Sequence, residues 1–180
     1  MYKTIYTILL LSLISILTGC GSSNTNVAPK LPITKQVRFT SIDFNLNQRV
    51  TPDIQYHTQQ ELKELLNQKI IKYLKNENLL STTNNLNDLK VVVNYSRRFL
   101  GDGTPLPSDS LAYPELTYSA DILNASKKLR SIKNKKIFYN GGMLMNAQVA
   151  LGGLRDKKYE LEFIDTFAKG IAEDINKLMK

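Results

Sequence analysis

Residues Asp88 to Leu100 read DLKVVVNYSRRFL, and this stretch decides the fold class. Leu89, Val91, Val93 and Tyr95 fall on one parity, while Lys90, Val92 and Asn94 fall on the other. A period of two in β-branched and aromatic residues is a strand pattern. The unbroken Val91-Val92-Val93 run predicts a central strand covered on both faces.

Working outward toward the N-terminus, Thr58-Gln59-Gln60-Glu61 has the spacing of a capping box, with Thr at N-cap and Glu at N3. Leu62, Leu65, Leu66, Ile70, Tyr73 and Leu74 follow at helical spacing, with Lys63, Glu64, Lys69 and Lys72 largely off that face. The spacing predicts an amphipathic helix from 58 to 76, stopped by the Asn-rich stretch 76–87. Before it, QVRFTSIDFNL (36–46) alternates at Ile42, Phe44 and Leu46 and predicts a first strand.

On the C-terminal side, 101–114 carries Gly101-Asp102-Gly103 and Pro105-Leu106-Pro107 and predicts a loop. LTYSADILNA (116–125) predicts a strand. KKLRSIKNKK (127–136) holds six cations and no acid, and predicts a polar hairpin loop turning into a further strand at 135–140. Asn140-Gly141-Gly142 is a hairpin or bulge signal, after which 143–151 alternates weakly and is expected to continue the sheet. Lys158 to Lys180 predicts a second amphipathic helix, its stripe formed by Leu161, Ile164, Ala168, Ile171, Ile175 and Leu178. Gly170 interrupts it at a cost of up to about 1 kcal/mol, unless a neighbour packs closely there. The expected class is α+β, order β-α-β-β-β-α: a small, mostly antiparallel sheet with two amphipathic helices on one face.

The N-terminus has a different character. Lys3 is followed by a charge-free apolar run from Ile5 to Leu17, then by Thr18, Gly19 and Cys20. This is the layout of a secretory signal peptide, and the run is shorter than the roughly twenty residues a membrane-spanning helix needs. Leu17-Thr18-Gly19-Cys20 resembles the lipobox of bacterial lipoproteins. The resemblance implies cleavage before Cys20 and a diacylglycerol on its sulfur, with the new amino terminus often acylated as well. Two or more chains anchor essentially permanently. Gly21 stands where an Asp would signal inner-membrane retention, so the resemblance implies the outer membrane, at its periplasmic face or surface, in an organism with two membranes. The expected division is a signal peptide at 1–19, a lipidated tether at 20–34 and one α+β domain at 35–180. Small, polar, Pro-containing 21–34 reaches about 45–50 Å when fully extended. The element order is also similar to that of small bacterial envelope lipoproteins of unknown function.

Composition narrows the chemistry. Cys20 is the only cysteine of the chain, so neither an intramolecular disulfide nor a Cys-based metal cluster can form. The net charge is +8, and cleavage before Cys20 removes only Lys3, so the mature chain stays basic and is drawn to anionic surfaces. Export makes nucleic acid an unsuitable partner. His57 is the only histidine, expected to be exposed or at the helix edge, and no Gly-x-Ser-x-Gly elbow accompanies it. Gly101-x-Gly103 and the Gly-Gly pairs lack the strand–loop–helix setting of a phosphate site. No cofactor, metal or catalytic set is expected.

Three readings follow, in order of preference. The first is a non-catalytic, membrane-anchored accessory factor that binds a protein or serves envelope assembly, through loop 101–115 or a sheet edge. The second binds anionic envelope lipid or polymer through Lys127, Lys128, Arg130, Lys133, Lys135 and Lys136. The third is a carboxylate-dependent envelope hydrolase using Asp102, Asp109 and Glu115.

Overall fold

The computed structural model describes residues 35–81 and 87–180, so the expected signal peptide, Cys20 and the expected tether lie outside the described residues. Strands β1 (Arg38–Gln48), β2 (Asn87–Phe99), β3 (Leu111–Asn124) and β4 (Lys127–Phe138) form one sheet in the order β1-β2-β3-β4. β1 pairs with β2 in parallel, and the other two pairings are antiparallel. The parallel pair is joined through helix α1 (Gln59–Asn76), as parallel neighbours require a crossover. Helices α2 (Gly142–Ala150) and α3 (Lys158–Met179) complete the α+β fold.

β2 alternates along its whole length. Leu89, Val91, Val93, Tyr95 and Phe99 are buried, whereas Val92 is 39% exposed. The sheet is therefore covered on one face only, which corrects the reading of the triple-valine run: Val92 belongs to the solvent face. α1 contributes Leu62, Leu66, Ile70 and Leu74 to the core, and α3 contributes Phe163, Ile164, Phe167, Ala168, Ile171 and Ile175. The two helices pack against each other, and Phe167 meets Tyr95 edge-on with ring centroids 6.1 Å apart. At the start of α1 both capping-box bonds form: Thr58 N–H donates to Glu61 Oε2 (2.7 Å) and Glu61 N–H to Thr58 Oγ1 (3.2 Å). Gly170 of α3 lies against Ile137 of β4, whose Cδ1 would be 3.1 Å from a Cβ there, so its small size is a packing feature.

Three further expectations are corrected. The loop ends at Ser110, because β3 begins at Leu111 and takes Pro114 into a bulge: Tyr113 and Pro114 together oppose Arg97, so the missing proline N–H costs no ladder bond. The basic run is not a loop but β4 itself. Its hairpin to β3 turns on Ala125 and Ser126, both at positive φ (44° and 69°), a two-residue turn that the sequence disguises because neither is Gly or Asn. The segment expected to extend the sheet is α2. Its helical period is hidden because apolar residues occupy its outward face as well as its inward one.

Candidate functional site

The Glu160 carboxylate is fully buried in the first turn of α3. It accepts from Arg97 Nε (2.7 Å), from His57 N–H (3.0 Å) and from His57 Nδ1 (3.0 Å). The Arg97 guanidinium also donates to Gln48 Oε1 (2.7 Å) and to the His57 carbonyl, and lies 5.6 Å from the centre of the Tyr56 ring. Tyr56 Oη sits 2.6 Å from the Asp109 carbonyl oxygen and 3.2 Å from that of Leu154, and burial pushes its hydroxyl up to about 12. His57 is at the helix edge as expected, but not exposed: its side chain is only 11% accessible. Among the described residues no buried side-chain nitrogen or oxygen lacks a partner, so the cluster acts as a clamp among β2, α3 and the lead-in to α1.

The three carboxylates of the hydrolase reading do not converge. Arg98 on the open sheet face bonds Asp102 through two nitrogens (2.9 and 3.1 Å) and Glu115 through a third (2.9 Å). Asp109 is held separately, 3.5 Å from Arg155, and accepts from Asp53 N–H (3.1 Å). The Arg98 guanidinium keeps the Asp102 carboxyl below its usual range, which suits an ionised pair and not a proton donor. With Asn47, Gln48, Arg49 and Ser96 these side chains line a groove of about 470 Å³. Beside it, loop 100–110 is tied at both ends: Leu100 N–H donates to Ser110 O, and Ser108 N–H to Leu100 O. At its tip Leu106 is 90% exposed.

The six cations of 127–136 do not form one surface, because a strand alternates. Arg130 and Lys135 stand opposite the buried residues Ile122 and Tyr118 and turn toward α3, where Arg130 bonds the Leu178 carbonyl and Lys135 reaches Asp174 (2.6 Å). Lys128 pairs with Asp121 (2.7 Å). A bulge at Asn134, itself at φ 46°, shifts the phase of the strand. Lys127, Lys133 and Lys136 take part in no ion pair among the described residues. Lysines on an edge strand also discourage pairing with other chains.

The feature sequence reasoning missed is the outward face of α2. Met143 and Leu144, with Leu151 at the end of the helix, are 87%, 83% and 86% exposed, and Phe138 just before it is 73% exposed. Met145 is the buried residue of α2, and Val149 packs against the core beside it. The helix is held firmly. Tyr113 Oη donates to the Asn146 side-chain oxygen Oδ1, and the segment after the helix is tied down where Leu111 N–H bonds Leu154 O (2.9 Å) and Leu154 N–H bonds Ser110 Oγ (3.0 Å). The sequence signal was the charge-free run between Lys136 and Arg155.

Among the described residues, no group of three or more His, Cys, Asp or Glu side chains is placed to hold a metal ion. No helix there is long and apolar enough to cross a membrane. No family model matches the chain, and no curated protein does. Among solved structures, the chain is similar to a minor lipoprotein from Acinetobacter baumannii, at 18% identity over 75% of this chain and 92% of that one, with a TM-score of 0.39. It is similar to a DUF330 protein from Xanthomonas campestris (16% identity, 83% of this chain and 89% of that one, TM-score 0.47). It is also similar to the rare lipoprotein B of Shewanella oneidensis (12% identity, 75% and 94%, TM-score 0.32).

Proposed function

We propose that the protein is a lipid-anchored accessory factor of the bacterial envelope, outer-membrane in a two-membrane organism, and that its domain binds another protein without catalysing a reaction. The anchor rests on Cys20, the lone cysteine, placed at the end of an apolar leader. The observation that carries the binding role is loop 100–110, braced at both ends and presenting Leu106 beside a groove with charges of both signs. An exposed apolar residue on a rigid loop with a polar surround has the anatomy of a protein contact.

Two measurements test this reading. Cys20→Ala is expected to leave an uncleaved or soluble precursor without radiolabelled acyl chain; labelling that persists overturns the anchor. A photo-crosslinker at Leu106 is expected to capture one envelope protein in living cells, with capture that withstands high salt and is lost on adding Glu115→Lys in the groove. Capture that fades as salt screens charge favours instead a binder of anionic envelope lipid or polymer through the free lysines of β4. No capture from a chain present at normal levels overturns the loop assignment.

A further inference from the structure

We infer that α2 is a membrane-surface contact: Met143, Leu144 and Leu151 enter the headgroup–acyl boundary of an anionic bilayer while neighbouring cations meet its phosphates. At ~100° per residue, Ala150, Met143, Ala147, Leu151 and Leu144 fall within an arc of about 120°. That arc lies opposite Met145 and Val149, the residues that hold the helix to the domain. A helix apolar on both sides has one face without a partner, and here it is the face turned outward.

The chemistry of the sequence flanking this face selects the occupant. No charged residue lies between Lys136 and Arg155, in a chain that is 22% charged overall. Cations resume at both ends, with Lys133 and Lys136 on one side and Arg155, Lys157 and Lys158 on the other. Lys157 has no ion pair among the described residues, and Lys158 only a 3.7 Å approach to Asp156. By the alternation of β4, Lys136 and the exposed Phe138 share the outer face, standing opposite Thr117 and Glu115. Apolar side chains bordered by cations suit an anionic lipid surface. The contact is also small. A few long side chains on a nine-residue helix fall short of the roughly 800 Å² per partner of a standard protein interface, whereas a bilayer accepts an apolar face at a depth of only about 5–10 Å.

The inference rests on the anchored reading only for what brings the domain to a bilayer, and its test supplies that tether independently. The chain has no tryptophan, so Leu144→Trp installs a sole indole on the outward face. The full chain is coupled through Cys20 to a maleimide lipid in phosphatidylcholine vesicles containing phosphatidylglycerol. The expected result is a blue-shifted emission quenched by brominated acyl chains about twofold or more over Leu106→Trp. The effect is expected to shrink in pure phosphatidylcholine and to vanish when Met143→Asp and Leu151→Asp are added. Emission that stays water-like on vesicles carrying the chain overturns the inference. Quenching equal at both reporters does so too, as does a blue shift that appears with chain concentration or an added protein in the absence of lipid. Acyl labelling at Cys20 in cells is read separately, so the anchor can fail while this contact stands.

Discussion

Glu160, wholly buried in the first turn of α3, lies 2.7 Å from Arg97 of β2 and binds them into one charged pair inside the domain. Attraction between the two offsets their desolvation only while both are present and bonded. Glu160→Gln is expected to cost about 3–5 kcal/mol in urea unfolding, by stranding the guanidinium beneath Tyr56 and His57. In a double-mutant cycle with Arg97→Gln, the paired substitution is expected to lose less than the sum of the single ones. Additive losses would show that the pair is not the source of the effect.

Much of the scaffold was legible because local pattern and tertiary burial agree. The capping box at Thr58, the stripe of α1 and the alternation of β2 appear where periodicity places them, and so does the stripe of α3 except at Leu161, which is 42% exposed while Phe163 takes the buried place. The misreadings share a cause: context supplied what composition did not. Ala125 and Ser126 make a turn usually marked by Asn-Gly, so the cations of β4 read as loop. Met143 and Leu144 erase the polar side of α2, so no helical period shows. Glu160 falls on a buried helix face, where a carboxylate is not expected without knowing that Arg97 and His57 meet it across sequence separations of 63 and 103 residues. Loop 100–110 was visible from its glycines and prolines, but its bracing and the isolation of Asp109 from Asp102 were not.

The β3–β4 turn offers a stabilising change. Ala125 and Ser126 adopt positive φ, which costs an L-residue with a Cβ on the order of 1 kcal/mol each. Replacing the two by Asn and Gly is expected to raise stability by about 1–2 kcal/mol and the melting temperature by a few degrees. An unchanged or lower melting temperature would argue against this turn geometry.

Acid should loosen the domain through Asp174 and Asp102. Burial pushes the Asp174 carboxyl up, but Lys135 (2.6 Å) and the Tyr118 hydroxyl (2.7 Å) outweigh it and hold the group below its ordinary 3.8. The two-nitrogen grip of Arg98 does the same for Asp102. Both acids therefore bind fewer protons in the native state than in the unfolded chain. Their stabilisation is complete above about pH 5 and is lost as pH falls through their native values. The urea midpoint is expected to decline from about pH 5 downward, and less steeply in Asp174→Asn. Equal slopes in the two proteins would exclude Asp174 as a contributor.

Gly141 fixes where α2 stands. A Cβ at this position would lie 2.4 Å from both Cβ and Cγ of Met145 and 2.8 Å from the Tyr113 hydroxyl, although its φ of −83° suits any residue. The obstacle is therefore steric, and it falls on the side chain that pins the helix to the core. Gly141→Ala is expected to cost about 1–3 kcal/mol through this overpacking. Amide hydrogen exchange should accelerate across 142–150 while α1 and β2 stay protected, because their contacts do not pass through Met145. Met145→Ala on the same background removes only the Cγ contact and leaves the Cβ at 2.4 Å and the Tyr113 hydroxyl at 2.8 Å, so it is not expected to restore the lost stability. Unaltered exchange in α2 of Gly141→Ala would mean that the helix is not seated through Met145.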